Sequence, residues 1–330
     1  MTTQFNGNEI FLSAIQNQLS ERKSRLLKVV KTLPEPGNLF RLLKEVDLAI
    51  ERIDKGTYGI CEVCKDPIET ERLFANPLMT LCIDHLTVQQ QRALELDLEY
   101  AGRIQRALLP KNDIRTSEWD FSYHYQPAGT VSGDFCDLIE NNDKSLTFLI
   151  GDVSGKGVSA SLMMSHLHAL IHSLLSFDLP IIELLQRANR LFCESTLSMN
   201  YATMVVGKAY PEGTLDICVA GHNPPLIFKN DSVISISATG IPVGMFNDTD
   251  YGVENLFLEK GDAVLLYTDG LTEATNNGTE YGEQRIMSQF STLGKLNSRE
   301  LIKSLLFEHK NYLQNSAAAD DVTVAVLKRL

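Results

Sequence analysis

At Pro110 the sequence changes character, and that change limits the chain to a helical region followed by a β-rich one. Upstream, from about Asn8 to Lys31, Ile10, Leu12, Ile15, Leu19, Leu26 and Val29 recur at helical intervals among charged residues. Pro34-Glu35-Pro36-Gly37 stops that run, and Leu39, Leu42, Leu43, Val46, Leu48, Ile50 and Ile53 begin a second, so the two are expected to pair as an antiparallel helical hairpin. After His85 a third helical stretch, rich in Gln, Glu, Leu and Arg, runs to Leu109 and ends at Pro110. Downstream, SLTFLI, YATMVVGKAY, TLDICVA, PLIFK, SVISI, AVLLYT and DVTVAVL read as strands. Ser159–Leu175, Ile181–Leu197, Glu283–Ser291 and Ser298–Leu313 read as helices. Strands and helices arrive in blocks and not in βαβ alternation, which predicts antiparallel sheets covered by helices, an α+β layered fold.

A chain of 330 residues with 44% hydrophobic side chains can fill more than one core, and two domains are expected. Its 30 basic and 42 acidic residues leave a net charge of −12, a field that disfavours nucleic acid and anionic membranes as partners. No apolar stretch is read as reaching the roughly 18 residues of a membrane span, and the polar start MTTQFNGNEI does not resemble a signal peptide. A soluble, cytoplasmic protein is the expectation. Of six cysteines, Cys136, Cys193 and Cys218 are dispersed through apolar segments, whereas Cys61, Cys64 and Cys82 cluster, the pattern of a metal site plus free thiols in a reducing compartment.

Cys61-x2-Cys64 and Cys82-x2-His85 form two knuckles that supply the four ligands of a closed, structural zinc site. With no fifth ligand nearby, such a site has no open position for chemistry. The stretch YGICEVCKDPIETERLFANPLMTLCIDH, with the hairpin before it, resembles the zinc finger of the DksA/TraR family of bacterial regulators of RNA polymerase. His85 stands where that family commonly has cysteine. The tip, KTLPEPGNLF, carries Glu35 alone where polymerase-acting members have an acidic pair, so the departure implies a structural or sensory role for residues 1–85.

The richest chemistry lies in Ser132-Gly133-Asp134, Gly151-Asp152-Val153, Asp269-Gly270 and Asp320-Asp321. A single Asp-Gly is usually a turn. Here LTFLI leads into Asp152, AVLLYT leads into Asp269, and Asp320 opens VTVAVL, so apolar strands deliver several carboxylates to strand ends where they can converge. Like charges gathered in this way need cations. An oxygen-only donor set suits Mg²⁺ or Mn²⁺, and two such ions about 3.5–4 Å apart can activate water and clamp phosphoryl oxygens.

The ordered motifs YQPAGTVSGDFCD, FLIGDVSGKGVSASLMM, YATMVVGKAY, VAGHNPPLIF, ATGIPVGMF, GDAVLLYTDGLTEA and ADDVTVAVL resemble the metal-dependent protein phosphatases of the type 2C superfamily, specifically the SpoIIE/RsbU branch. AGRIQRALLP resembles the segment preceding that domain. The resemblance implies an αββα sandwich over residues 113–330, reached through a helical linker at 86–112. It implies Asp152 as the bridging ligand of two Mn²⁺ or Mg²⁺ ions, the Val153 carbonyl as its neighbour, Asp269 and Asp320 as further ligands and Asp134 beside the second ion. Asp320 is favoured over Asp321 because the motif places its ligand first. Ser132 and Cys136 depart from the usual glycine and aromatic without removing a ligand. The implied reaction is direct hydrolysis of phosphoserine or phosphothreonine by metal-activated water. The implied substrate is a phosphorylated protein, an anti-sigma-factor antagonist in partner switching.

Other phosphate chemistries fit less well, because no cysteine opens a Cys-x5-Arg loop and Gly157 follows Lys156 where a Walker motif needs Ser or Thr. His222, in a proline-bounded turn, reads as structural. His166, His168 and His172 read as helix-surface or core residues, since spacings of two and four cannot put all three on one face. Two other readings remain, a catalytically silent scaffold and a transcription regulator acting through the finger. Leu86, Leu94, Leu98, Ile104 and Leu108 give the linker helix an apolar stripe on which a homodimer could form.

Overall fold

The structure, a computed structural model, describes residues 3–30, 37–110, 113–196, 200–314 and 320–330. The chain divides into two compact units, residues 1–96 and 97–330. In the first, helices α1 (Thr3–Val30) and α2 (Gly37–Asp54) pack along one another, with Ile15 and Leu19 of α1 buried against Val46 and Ala49 of α2. The expected tip, Pro34-Glu35-Pro36, lies outside the described residues. After α2 the chain forms the cysteine knuckles around the short helix α3 (Thr70–Ala75), and α4 (Val88–Arg106) follows.

The second unit is an αββα sandwich. Its strands in chain order are β1 (Ile114–Arg115), β2 (Trp119–Gln126), β3 (Asp134–Glu140), β4 (Leu146–Val153), β5 (Ala202–Ala209), β6 (Thr214–Ala220), β7 (Leu226–Lys229), β8 (Ser232–Ser235), β9 (Glu254–Phe257), β10 (Ala263–Tyr267), β11 (Thr275–Asn276), β12 (Thr279–Glu280) and β13 (Val322–Arg329). Its helices are α5 (Gly157–Leu175), α6 (Ile181–Ser195), α7 (Asp269–Thr272), α8 (Glu283–Leu293) and α9 (Ser298–Leu313). A six-stranded sheet, β1-β2-β13-β10-β7-β8, faces a five-stranded one, β3-β4-β5-β6-β9, and every pairing is antiparallel. The small hairpin β11-β12 stands apart.

Because side chains alternate along a strand, each sheet feeds two cores. Phe148 and Ile150 of β4 enter the layer between the sheets with Trp119, Phe121 and Leu327, whereas Leu149 and Val153 point outward to Leu167 and Ile171 of α5. On the other side Leu265, Val324 and Val326 pack on Ile286, Phe290 and Leu305 of α8 and α9. Strands buried on both faces explain the near-continuous apolar runs of SLTFLI and AVLLYT. The Phe148 ring lies where a Cβ on Gly207 would stand, 2.1 Å from its nearest atom, so that glycine is the socket for the ring. Truncating such a buried phenylalanine typically costs about 3–5 kcal/mol.

One sequence expectation needs correction. Helix α5, with 19 residues, is long and apolar enough to cross a membrane by length and composition. Its buried Met164, Leu167 and Ile171 instead cover the five-stranded sheet, which accounts for the high apolar content of the helix.

Candidate functional site

The sandwich brings the predicted aspartates to one end by strand pairing. Asp134 opens β3 and Asp152 lies near the close of β4, directly opposite in the antiparallel register, so both side chains stand on the same face. On the facing sheet, β10 ends just before Thr268-Asp269 and its neighbour β13 begins just after Asp320-Asp321. Gly270 closes the gap between those segments. A Cβ there would lie 1.9 Å from the Asp321 carbonyl and 3.4 Å from Asp320 Cβ, so only glycine lets the Asp269 turn approach the 320–321 loop.

Two threonines join the sheets at Asp134. The hydroxyls of Thr268 and Thr323 both donate to Asp134 Oδ2, at 2.8 Å and 2.6 Å, and all three side chains are fully buried. Neither threonine was singled out from sequence, although each lies within a quoted motif, GDAVLLYTDGLTEA or ADDVTVAVL. Gly133 was likewise unassigned. A Cβ on it would meet the Val153 carbonyl oxygen at 2.9 Å and Asp152 Oδ1 at 3.0 Å, so the chain leaves a small cradle where a backbone oxygen and a carboxylate oxygen converge.

The carboxylates also feel one another. Burial, then the charge of Asp152, pushes Asp134 well above the usual carboxylate range against the pull of the two threonine hydroxyls. Burial and the charges of Asp269, Asp320 and Asp321 raise Asp152 to about 7. Asp269 is raised by burial and by Asp320. Positive charge is what such a group lacks. Lys156 Nζ, 2.7 Å from Asp320 Oδ2, supplies some of it from an exposed position. Asp321 is engaged differently, since its two oxygens accept the backbone N–H groups of Ala128 and Gly133 at 2.7 Å and 3.0 Å. The donor set of hard oxygens, the Gly133 cradle and the mutual repulsion fit divalent cations of the Mg²⁺ or Mn²⁺ kind.

His222 is buried behind this group. Its Nδ1 lies 2.9 Å from Thr203 Oγ1, and Thr203 pairs directly with Asp152 in the register of β4 and β5. Burial pulls its pKa down to about 4, so the ring is neutral at pH 7 and has no acid proton to give, in keeping with a structural role. His166 Nε2 sits 2.7 Å from Ser195 Oγ, away from the aspartates. His168 and His172 share one face of α5 and both meet Asp137, a residue that sequence reasoning did not single out.

In the first unit Cys61, Cys64, Cys82 and His85 come together with all four ligand atoms within 4.8 Å of one another. Cys64 Sγ and Cys82 Sγ are 3.6 Å apart and Cys61 Sγ and His85 Nδ1 3.9 Å, near the roughly 3.5–3.8 Å between ligands of a tetrahedral zinc with bonds of about 2.0–2.3 Å, while Cys82 Sγ and His85 Nδ1, at 3.1 Å, are closer. The first knuckle is shaped by Gly59 and Lys65, both at positive φ (77° and 67°), with Cys61 N–H donating to the Asp66 carbonyl at 2.9 Å.

Comparison with known proteins follows the same division. The family profile described as stage II sporulation protein E (SpoIIE) matches residues 142–330, and that of the prokaryotic DksA/TraR C4-type zinc finger matches residues 56–84. The chain is 27% identical to phosphoserine phosphatase RsbU of Bacillus subtilis over 257 residues, 74% of each protein. It is also 27% identical to protein IcfG of Synechocystis over 266 residues, which are 71% of this chain but only 42% of that longer protein. Among solved structures, the SiaA-PP2C domain of Pseudomonas aeruginosa shares the fold, with a TM-score of 0.63 at 19% identity over 74% of this chain and 100% of that one.

Proposed function

The chain belongs to the SpoIIE family, and from that premise we propose that residues 113–330 hydrolyse phosphoserine or phosphothreonine on a protein, with two Mn²⁺ or Mg²⁺ ions held by Asp134, Asp152, the Val153 carbonyl, Asp269 and Asp320. One observation carries this reading: two carboxylates paired across β3 and β4 meet two more delivered by β10 and β13, beside a cradle in which Asp152 Oδ1 and the Val153 carbonyl converge. When bound, the cations would supply Lewis-acid charge and lower the pKa of a coordinated water. The chain's own residues do the rest. Thr268 and Thr323 orient Asp134, and Gly133 and Gly270 let the four segments approach. The two backbone N–H groups on Asp321 make it a loop clamp, which supports Asp320 as the ligand of the pair. With water activated in this way, no cysteine nucleophile and no phosphoenzyme are required.

The relative RsbU is named a phosphoserine phosphatase, which supports a phosphoserine protein as substrate, and within that class we assign a phosphorylated anti-sigma-factor antagonist in a cytosolic partner-switching circuit. Residues 1–85 then form a hairpin with one structural Zn²⁺ on Cys61, Cys64, Cys82 and His85, and 86–112 the linker. Of the expected apolar stripe only Ile104 is exposed, Leu86, Leu94, Leu98 and Leu108 being partly buried, and a different row, Leu96, Tyr100 and Ile104 at intervals of four along α4, supports a homodimer. At the end of α4 the buried Gln105 amide donates to the Ser132 carbonyl at 2.6 Å and accepts the Ser132 N–H at 3.0 Å, next to Gly133-Asp134. The helix therefore holds the loop that leads into the site.

The test is phosphate release from a phosphoserine protein with and without Mn²⁺. Release should require the metal and fall by more than about 100-fold in Asp152→Asn and in Asp269→Asn, a larger loss than removal of an outer partner causes. Near-normal turnover of either folded variant at saturating metal would sink the assignment.

A further inference from the structure

On the opposite face of β3 from Asp134, a second group of donors lies beneath α5. Side chains alternate along the strand, so Asp134 turns toward the sandwich interior while Asp137 turns toward the helix. His168 and His172, one helical turn apart, both aim Nε2 at Asp137 Oδ2, His168 from 3.2 Å and His172 from closer still. Their rings are stacked with centroids 4.3 Å apart, and the three ligand atoms all lie within 4.8 Å of one another. Asp137 and His168 are buried, and His172 is half-exposed.

We propose that Asp137, His168 and His172 bind a divalent transition-metal ion of the zinc type, independently of the aspartate site and of the finger. Two imidazoles and one carboxylate are a donor set that Zn²⁺, Co²⁺ or Ni²⁺ prefers to Mg²⁺, and three protein ligands are the complement of an open zinc site. The 3.2 Å between His168 Nε2 and Asp137 Oδ2 is close to the roughly 3.3 Å between neighbouring ligands of a tetrahedral ion with bonds of about 2.0–2.1 Å. Asp137 is fixed from behind, because its Oδ1 accepts the Leu138 N–H at 2.8 Å while Oδ2 is left to the two imidazoles. Such outer support is the usual companion of a ligating carboxylate. The half-exposed His172 gives an ion a path in from solvent. Binding replaces the imidazole protons shared with the carboxylate and ties α5 to β3. The competing arrangement, a hydrogen-bonded trio in which both imidazoles donate to Asp137, needs no ion and predicts no binding.

Zinc content and zinc titration of the full chain separate the two. With Mg²⁺ in large excess to occupy the aspartates, wild type should hold two Zn²⁺ per chain and Cys61→Ser/Cys64→Ser one. His172→Ala, at a half-exposed position, should also hold one, bind the second at least tenfold more weakly, and lose the rise in melting temperature that Zn²⁺ gives wild type. Asp152→Asn should keep both ions, which separates this site from the phosphatase centre. If His172→Ala lowers the melting temperature in the absence of zinc, His172→Asn provides the same comparison. A wild-type chain that holds only one Zn²⁺, or a second Zn²⁺ bound equally well after either substitution of His172, overturns the proposal.

Discussion

Asp134 receives two hydroxyl donors on a single oxygen, from threonines that both belong to the opposite sheet. That arrangement orients one carboxylate oxygen and leaves the other free of both hydroxyls. Thr323→Val keeps the shape and removes one donor, while the Thr323 backbone N–H still reaches Thr268 Oγ1. Metal affinity or turnover should drop about 10–100-fold with the fold intact, read from Mn²⁺ titration of phosphate release and from melting. An unchanged Mn²⁺ dependence would make the threonines mere inter-sheet packing. The pH dependence of stability belongs to this scale as well. Asp152 rises from its ordinary 3.8 to about 7, so the folded chain holds that proton more strongly than the unfolded one. The stabilisation is complete below about 4 and is lost as pH rises through about 7. Metal-free protein should therefore melt at a higher temperature near pH ~5 than near pH ~8, and added Mn²⁺ should remove the deficit at the higher pH. Equal melting at both values without metal would show that the carboxylates do not strain the folded state.

Among the elements, the zinc knuckles and the end of α4 carry consequences of their own. The core of the finger is small, with Ile68 and Leu73 buried beside Cys61 and Cys82, so little apolar area remains to hold it without an ion. Freshly prepared, reduced protein should carry zinc on the four knuckle ligands, and Cys61→Ser/Cys64→Ser should lose that ion. Protease sensitivity should rise within residues 56–85 while residues 113–330 stay resistant. Cleavage spread evenly through the chain would show instead that the two regions are stabilised together. Helix α5 is apolar because its residues cover a sheet, and beneath it His168 and His172 both meet Asp137.

For the whole molecule, the proposed homodimer is tested at α4, which carries the exposed Leu96, Tyr100 and Ile104 and the Gln105 clamp on Ser132. A continuous helix transmits rotation, which a Gly/Ser linker would not. Deleting residues 1–85 should leave a dimer with altered turnover, and deleting 1–110 should give a monomer of lower activity, because the second deletion also removes Gln105. Mass in solution and phosphate release report both. Two monomeric products with the turnover of the full chain would reduce α4 to a passive tether.

Sequence by itself determined much of this protein. The break at Pro110, the α+β layering, the strand runs ending in Asp152 and Asp269 and the two knuckles that carry Cys61, Cys64, Cys82 and His85 all follow from local period and spacing, which act within a few residues. The expected Ser298–Leu313 coincides with α9, whose start is held by a cap the sequence reading did not use, Asn297 accepting the Glu300 N–H at 2.9 Å. The remaining features needed the tertiary structure, because they join residues far apart in the chain. Asp134 meets Thr323 across 189 positions, Asp321 holds the Gly133 amide across 188, and Asp137 reaches His172 across 35. Spacing along one helix ruled out a shared face for His166, His168 and His172, but it could not show which two pair or that the strand residue Asp137 meets them. Pairing register and the stacking of two sheets decided those meetings, and neither is written in any single segment.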